Sequence, residues 1–300
     1  RDSGLGRLEA NCIEIINLAV VEVETGGNPE LKQNVIRNGN LCGIYVHDNG
    51  QGTFIKNEVC NNILAGVEIQ SGANPTFIEN RIHNGRAPRV GVHDDVLGKG
   101  NGFLIHDNGQ GYLENNEIYE NASFGLEVTQ GGNPTLKMNR VHDNLDSGLY
   151  FHDAGLGRCD SNEIFGNANS AVEIRMRGNP TLTRNRIYDQ KQRGVYVHEE
   201  GQGELEGNMI WGSHDSGVEV RKGGNPKMVD NKIYHGRANG LLVWEEGKGL
   251  FQGNEIYGNA LNGVNTQTDG HPTMTKNKIF ENEKNGVYIN DYGKGYFKEN

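Results

Sequence analysis

Residues 185–207 read NRIYDQKQRGVYVHEEGQGELEG, and the next residue, Asn208, starts the same pattern again. Asparagine recurs at this spacing of 23 residues along the whole chain, with one longer interval of 36 residues between Asn80 and Asn116. A repeat of this length predicts a solenoid, in which each repeat forms one turn of the chain. The asparagines of the series are Asn11, Asn34, Asn57, Asn80, Asn116, Asn139, Asn162, Asn185, Asn208, Asn231, Asn254, Asn277 and Asn300.

Short β-strands are predicted within each repeat. In the repeat that starts at Asn185, the apolar Ile187 follows two residues later, and Gly194 opens the alternating run Val195–His198. Such alternation is typical of strands, and no stretch of the sequence shows apolar residues at helical spacing. Three short strands and three turns fit one repeat. The sequence therefore predicts an all-β fold, a single-stranded right-handed parallel β-helix of about thirteen turns of 23 residues.

The repeated asparagines are expected inside the solenoid. An amide side chain carries both a donor and an acceptor, so stacked amides can bond to one another and to the backbone of the turns. Each bond is worth about 1 kcal/mol, and a lone buried amide would cost more than that. We therefore expect replacement of one such asparagine by leucine to destabilise the fold strongly.

A second period of two turns is superimposed on the first. A glycine-rich turn such as Gly201-Gln202-Gly203 alternates with a turn that contains a proline, such as Asn179-Pro180. Glycine permits a positive φ at a corner, and proline cannot donate to a strand ladder. The prolines of this slot lie 46 residues apart, except for one spacing of 59, so the repeating unit of the sequence is two turns.

The composition excludes some partners. The net charge of −10 argues against nucleic acid and anionic membranes, because both require a basic surface, and no apolar run is long enough to span a membrane. The cysteines, Cys12, Cys42, Cys60 and Cys159, show no paired spacing of the zinc or disulfide kind. They are predicted to be reduced, packed thiols, which indicates an intracellular protein of the cytoplasm or nucleus. No metal site and no cofactor are expected.

Residues 1–300 are predicted to form one β-helix domain, because the count of 23 residues never restarts. The long repeat has 36 − 23 = 13 extra residues, which lie within residues 86–101 just before a strand. His93, Asp94 and Asp95 of this insertion are candidates for contributing to a binding face. The chain begins inside a glycine-type turn and ends on the asparagine series, so we expect it to be a segment of a longer protein.

The strand that begins at each glycine of the Gly194 series is predicted to carry a recognition stripe. Residues two and four places after the glycine point outwards, and glutamate from one kind of turn alternates with tyrosine from the other. Tyrosine, tryptophan and arginine are typical anchors of binding sites, although tyrosine also suits a solvated sheet face. The predicted binding site, the richest patch of the stripe, comprises Tyr150, His152, Glu173, Arg175, Tyr196, His198, Glu219, Arg221 and Trp244.

Histidine followed by an acid recurs in alternate turns, as in His152-Asp153 and His198-Glu199. A catalytic site requires one asymmetric cluster with shifted pKa values. A pair that is copied along the chain is interpreted instead as a turn motif, in which the acid accepts hydrogen bonds from backbone amides of the corner. No catalytic and no metal-binding residue is therefore predicted.

The repeat closely resembles that of a known family. The residues that carry the likeness are GNPTLTRNRIYD at 178–189, GVYVHEEGQG at 194–203 and NEIYGN at 254–259, and similar repeats cover essentially the whole chain. They resemble the β-helix repeats of the eleventh F-box-only protein family, whose members are substrate receptors of a cullin-RING ubiquitin ligase. The resemblance implies that the β-helix holds a substrate protein. Contact with the ligase scaffold would require an F-box, which this sequence does not contain.

Two classes of function remain open. The resemblance favours a non-enzymatic module that captures a partner protein through the stripe. Similar repeats also occur in carbohydrate-binding proteins and in sugar hydrolases, lyases and epimerases. The alternative is therefore a polysaccharide lyase or epimerase, in which Tyr196, His198 and Arg175 would act on a uronate, or a module that binds a neutral glycan through tyrosine and tryptophan.

Overall fold

The computed structural model describes residues 4–14, 18–87 and 100–300. These residues form 37 short strands, which is twelve turns of three strands and one further strand. The predicted all-β parallel β-helix is therefore confirmed, with about the predicted number of turns. Within the described ranges, no helix is long and apolar enough to cross a membrane.

The chain comprises two compact units, and the single domain expected from the sequence stays a prediction. The first unit runs to Tyr150 and includes Gly155–Arg158. Its strands are β1 (Arg7–Glu9), β2 (Cys12–Glu14), β3 (Val21–Val23), β4 (Glu30–Lys32), β5 (Val35–Arg37), β6 (Ile44–Val46), β7 (Thr53–Ile55), β8 (Glu58–Cys60), β9 (Ala65–Ile69), β10 (Thr76–Ile78), β11 (Arg81–His83), β12 (Asn101–Ile105), β13 (Tyr112–Glu114), β14 (Glu117–Tyr119), β15 (Leu126–Val128), β16 (Thr135–Lys137) and β17 (Arg140–His142).

The second unit contains Phe151–Ala154 and Cys159–Asn300. Residues of both units occur in β18 (Leu149–Phe151) and β19 (Arg158–Asp160). The strands that belong to the second unit alone are β20 (Glu163–Phe165), β21 (Val172–Ile174), β22 (Thr181–Thr183), β23 (Arg186–Tyr188), β24 (Val195–Val197), β25 (Glu204–Glu206), β26 (Met209–Trp211), β27 (Val218–Val220), β28 (Lys227–Val229), β29 (Lys232–Tyr234), β30 (Leu241–Val243), β31 (Leu250–Gln252), β32 (Glu255–Tyr257), β33 (Val264–Thr266), β34 (Thr273–Thr275), β35 (Lys278–Phe280), β36 (Val287–Ile289) and β37 (Tyr296–Lys298).

In each unit the strands stack as three parallel sheets. In the first unit, sheet A has the order β1-β4-β7-β10-β13-β16, sheet B β2-β5-β8-β11-β14-β17 and sheet C β3-β6-β9-β12-β15. In the second unit, the orders are β22-β25-β28-β31-β34-β37, β20-β23-β26-β29-β32-β35 and β21-β24-β27-β30-β33-β36. Every third strand pairs because three strands complete one turn. Parallel connections of this kind form a right-handed coil.

Equivalent residues of successive turns lie side by side. In sheet C of the second unit, Val195 pairs with Val218 and Tyr196 pairs with Glu219. The outer two residues of each sheet C strand point into the core, as the fully buried Val195 and Val197 show. In sheets A and B the middle residue points inwards instead. The core is therefore a set of continuous apolar columns.

The asparagine series forms the predicted ladder within each unit. Asn208 donates from its backbone N and from Nδ2 to Oδ1 of Asn231, each at 2.9 Å. The long repeat keeps this arrangement, because the N and Nδ2 atoms of Asn80 lie 2.9 and 3.0 Å from Oδ1 of Asn116. The ladder therefore keeps its register between Asn80 and Asn116.

The two glycines of a glycine-rich turn are required for different reasons. Gly203 has a φ of 119°, a conformation that other residues rarely adopt. Gly201 leaves no room for a side chain, because a Cβ atom there would lie 2.3 Å from the carbonyl oxygen of Ile174. The alternating pattern of glycines is therefore set by the geometry of the corner.

Candidate functional site

The outer face of sheet C in the second unit carries most of the predicted binding site. The middle residue of each strand points outwards here, as does the residue two places further on. Tyr196, His198 and Glu219 are nevertheless buried, with only 6, 5 and 4% of their surface exposed. This face is therefore not a solvated surface but a packed layer of polar and aromatic side chains.

Tyr196 lies at the centre of this layer. Its ring stacks on the imidazole of His198, with 4.1 Å between the ring centroids and 14° between the planes. Arg221 donates from Nε to the Tyr196 hydroxyl, and the guanidinium of Arg193 lies 4.5 Å from the ring centroid of Tyr196. Burial raises the pKa of Tyr196, and the charge of Arg221 offsets this only in part. The Tyr196 hydroxyl is therefore protonated at neutral pH.

Glu219 connects three successive turns. One carboxylate oxygen accepts from Nε of Arg193 in the preceding turn, and the other accepts from Nε1 of Trp244 in the following turn at 3.0 Å. Burial lowers the pKa of Arg193, but the hydrogen bond and charge of Glu219 outweigh it, so the net pKa of Arg193 is raised. Arg221 also lies over the ring of Trp244, with 5.0 Å between its guanidinium carbon and the ring centroid.

Glu173 contacts His198, 25 residues later, as Glu219 contacts Trp244. Its Oε1 atom lies 3.1 Å from Nε2 of His198. Such a contact is diagonal, because it joins different positions of two successive turns. Nδ1 of His198 is buried and has no hydrogen-bond partner. The first unit repeats this diagonal between Glu22 and His47, also at 3.1 Å. The contact therefore belongs to the repeat, and Trp244 takes the place of the histidine in its turn.

Charged side chains follow sheet C at the next corner. Glu199 and Glu200 have left-handed backbone, with φ of 47° and 63°. Arg175 lies 3.6 Å from the Glu199 carboxylate, and Arg221 lies 3.7 Å from that of Glu245. A shallow cavity of about 560 Å³ at this corner is lined by Asp153, Met176, Arg177, Glu199, Glu200 and Lys222.

The guanidinium groups are the accessible part of the layer. The side chains of Arg175, Arg221 and Arg193 are 32, 25 and 21% exposed, whereas that of Glu219 is 5% exposed. We call these three residues the arginine cluster. Guanidinium groups bind carboxylate and phosphate groups through paired hydrogen bonds. The face is therefore suited to an anionic ligand, held above buried acidic and aromatic groups.

The remaining residues of the predicted site have local partners. Tyr150 belongs to the first unit, where its ring stacks on Phe124 with 4.4 Å between centroids. His152 belongs to the second unit, and its Nδ1 atom lies 2.7 Å from the carboxylate of Asp153. The candidate residues of the insertion, His93, Asp94 and Asp95, lie outside the described residues.

The interpretation of the histidine-acid pairs requires a correction. The acids were expected to bind backbone amides of the corner, but Asp48 and Asp153 lie 2.9 and 2.7 Å from Nδ1 of the preceding histidine. These two carboxylates therefore orient the imidazoles of His47 and His152. Glu199 has a similar left-handed backbone, but Nδ1 of His198 has no hydrogen-bond partner.

Arg193 is a site residue that the sequence analysis missed. It precedes Gly194 and so lies outside the alternating run from which the stripe was assigned. The corresponding residue of the first unit, Cys42, donates to Glu68 at 2.7 Å, 26 residues later. The same 26-residue separation links Arg193 to Glu219. This recurring separation is the signal that identifies the position.

An aromatic ladder on sheet B of the second unit was also missed. Six rings stack in register, with centroids 4.6–5.7 Å apart and planes within 13° of parallel. Each internal ring has both faces covered by its neighbours, so this aromatic ladder offers ring edges rather than faces. It is therefore suited to holding turns together rather than to stacking on sugars. Its members are Phe165, Tyr188, Trp211, Tyr234, Tyr257 and Phe280.

Solved structures with the same fold include three enzymes. The periplasmic alginate epimerase AlgG has a TM-score of 0.75 at 13% identity, over 92% of this chain and 75% of that chain. The A-module of the mannuronan C-5 epimerase AlgE4 from Azotobacter vinelandii has a TM-score of 0.57 at 15% identity, over 89% and 90%. Pectate lyase Pel9A has a TM-score of 0.56 at 13% identity, over 91% and 70%. At this identity the likeness concerns the fold.

Sequence comparison gives the family. None of the curated proteins matches the chain significantly. The finer resemblance to F-box receptors receives no support from these comparisons. The family model of the right-handed β-helix region matches residues 19–182 and 170–300, which together are nearly the whole chain. The chain therefore belongs to the right-handed β-helix family.

Proposed function

We propose that the outer face of sheet C in the second unit binds an anionic polysaccharide. The observation that carries this proposal is the arginine cluster, in which three partly exposed guanidinium groups lie above glutamates that are already engaged. Because Glu219 is bound by Arg193 and Trp244, its charge is locally offset. At Arg175 and Arg221, an incoming carboxylate would compete with those of Glu199 and Glu245, which lie 3.6 and 3.7 Å away.

The class of ligand agrees with that of the structural neighbours. These neighbours are an alginate epimerase, a mannuronan C-5 epimerase and a pectate lyase, and alginate and pectate are chains of sugar acids. A linear polymer also suits the geometry, because Arg175 and Arg221 lie two turns apart, about 10 Å at the spacing of parallel strands. Because the net charge of the chain is −10, an anionic polymer is attracted by the arginine cluster and not by the chain as a whole. This attraction is electrostatic, so binding should weaken with salt.

Affinity electrophoresis in gels that contain polygalacturonate or alginate tests this proposal. The double variant Arg175→Ala/Arg221→Ala should bind these polymers at least about tenfold more weakly, because charge-assisted hydrogen bonds are lost. The matched control is Arg184→Ala, which removes an exposed arginine paired with Asp160 elsewhere on the unit. Circular dichroism checks that each variant is folded. Equal retardation of the double variant and the control would overturn the proposal.

Chemistry on the bound polymer is a second candidate function. The observation that favours it is the contact between the protonated Tyr196 hydroxyl and Arg221, beside the His198 imidazole. A uronate lyase or epimerase removes the proton next to a carboxylate and protonates either the leaving oxygen or the opposite face of the sugar. Tyr196 is the candidate proton donor. Unsaturated products or inverted uronates that disappear in Tyr196→Phe would establish this activity.

Binding of a partner protein, as the resemblance to the F-box family implies, stays a prediction. It would use the same side chains of sheet C. The polysaccharide assays distinguish it from the present proposal. A protein-binding face should leave every anionic polymer unretarded, whereas a polysaccharide-binding face should retard at least one. A gel that contains neutral glucomannan distinguishes binding of an anionic polymer from binding of a neutral glycan.

A further inference from the structure

Three side chains with metal-binding atoms lie together on the outer face of sheet B in the first unit. Glu58 and Cys60 are two residues apart on β8, so both point away from the core, while Val59 between them is fully buried. His83 on β11 pairs in register with Cys60. One potential ligand atom from each of the three lies within 4.8 Å of the others. We call these residues the Glu58-Cys60-His83 cluster.

The histidine of this cluster is held in place before any ligand arrives. Its Nε2 atom lies 3.1 Å from the Glu58 carboxylate, and its ring stacks on Tyr119 with 4.7 Å between centroids. His83 is only 8% exposed, and its Nδ1 atom is buried without a hydrogen-bond partner. Nδ1 of His198 is buried without a partner as well. The ring nitrogen that belongs to the cluster is therefore Nε2, next to the Glu58 carboxylate.

Neighbouring cations do not dominate the cluster. Arg37 is opposite Cys60 on β5, but it lies 3.0 Å from the carboxylate of Glu14. Arg81 on β11 donates to the hydroxyl of Tyr119 and lies 3.9 Å from Glu117. Both guanidinium groups thus have partners outside the cluster, although Arg81 also pairs in register with Glu58, whose charge helps to raise the pKa of Arg81. The thiol and the carboxylate supply negative charge for a divalent cation.

We propose that Glu58, Cys60 and His83 bind one divalent cation of the zinc class. Sulfur, nitrogen and carboxylate oxygen together match the ligands that zinc prefers, whereas calcium and magnesium require oxygen alone. Bonds of about 2.0–2.3 Å to zinc place tetrahedral ligand atoms roughly 3.5 Å apart. The separation in the cluster needs only small side-chain movements to reach this. Three protein ligands leave the fourth position of the cation to water.

The proposed site joins successive turns. Glu58 and Cys60 come from one turn, and His83 comes from the next. A bound cation would therefore link β8 to β11 through side chains, in addition to the backbone hydrogen bonds of the sheet. Because a ligand that binds only the folded state stabilises that state, the melting temperature of the chain should rise with zinc concentration.

Titration of the reduced, metal-free chain with Co²⁺ tests the proposal directly. A thiolate bound to Co²⁺ gives a charge-transfer absorption in the near ultraviolet, and this band should saturate at one ion per chain. Zn²⁺ should then displace Co²⁺ and abolish the band. Cys60→Ser should eliminate the band, and His83→Gln should weaken Co²⁺ binding by more than about tenfold, the lower end of the cost of disturbing a metal site.

The matched control is Cys12→Ser, because Cys12 is the exposed thiol on the same sheet. This variant should keep the charge-transfer band and the Zn²⁺-dependent rise in melting temperature. A wild-type chain that takes up no Co²⁺ would overturn the proposal, as would a band that survives in Cys60→Ser. Neither readout depends on polysaccharide binding, so the outcome is independent of the function proposed for the second unit.

Discussion

Asn185 donates two hydrogen bonds to a single atom of Asn208, one from its backbone N and one from Nδ2, and each measures 2.9 Å to Oδ1. Nδ2 of Asn208 in turn donates to the carbonyl oxygen of Leu182 at 2.9 Å. Each amide of the series therefore serves a neighbouring amide and the backbone of a turn at once. This explains why the fold repeats asparagine rather than any polar residue.

Asn208→Leu should be among the most destabilising single substitutions in the second unit. It removes the shared acceptor of two buried donors, and an unsatisfied buried group costs about 1–3 kcal/mol. We expect the free energy of unfolding to fall by about 3 kcal/mol or more, measured by urea denaturation followed by circular dichroism. Asn225→Leu, at an exposed corner, is the matched control and should change stability little. Similar losses in the two variants would contradict the ladder.

Glu219 should contribute far more to stability than an exposed glutamate does. Glu219→Ala leaves the partly buried Arg193 without its carboxylate and Trp244 without its acceptor. Breaking such a pair should lower the free energy of unfolding by about 2–3 kcal/mol, somewhat less than for a fully buried pair. The control, Glu204→Ala, removes an exposed partner of Lys227 and should cost less than about 1 kcal/mol. Thermal or urea unfolding of both variants would show whether this ranking holds.

His47 should make the stability of the first unit depend on pH. Burial lowers its pKa, but the hydrogen bonds to Asp48 and Glu22 outweigh this, and the net pKa lies above the ordinary value of 6.5. A raised pKa means that the folded state favours the charged imidazole. The stabilisation is therefore complete below pH 6.5 and is lost as the pH rises through the folded-state pKa.

Titration of the His47 ring protons by NMR measures this effect. The pKa of His47 should fall in Glu22→Gln, because one of the two acidic partners is lost. Glu30→Gln, on sheet A of the same unit, should leave the titration unchanged. A titration of His47 that is the same in Glu22→Gln as in the wild type would contradict the assigned cause.

The aromatic ladder should stabilise the second unit through its internal rings. Tyr234 stacks on Trp211 and on Tyr257, whereas Phe280 stacks on Tyr257. Stacked pairs are worth about 0.5–1.5 kcal/mol each beyond burial, so Tyr234→Ala should cost about 1 kcal/mol more than Phe280→Ala. Neither substitution should reduce polysaccharide binding, since the ladder lies on sheet B. Equal unfolding midpoints of the two variants would count against stacking as the cause.

The periodicity of the sequence was sufficient to predict the fold. Parallel in-register stacking makes each position of the repeat a column, so a rule found at Asn185 applies at Asn208 and at Asn231. Even the long repeat between Asn80 and Asn116 obeys this rule, as their hydrogen bonds show. The positions of the strands and of the inward-facing residues follow from the same repeat of 23 residues.

The site was less predictable, because its contacts run diagonally between columns. Alternation places Tyr196 on the outer face, but it does not reveal that Arg193 and Arg221 cover its ring. Burial on an outward face depends on side-chain lengths in neighbouring turns. For the same reason, the spacing of Cys60 and His83 in the sequence is not typical of a metal site. They lie side by side because they occupy equivalent positions in successive turns.

The pairing of Glu173 with Tyr196, and of Tyr196 with Glu219, restricts how such a chain can change its length. Loss of residues 185–207 would preserve the asparagine ladder but would place two carboxylates on adjacent strands, about 4.8 Å apart, where like charges repel. Loss of 46 residues, which is the period of the proline slot, would restore the original neighbours. Around Tyr196, recombination can therefore shorten or extend this protein without new repulsion only by an even number of turns.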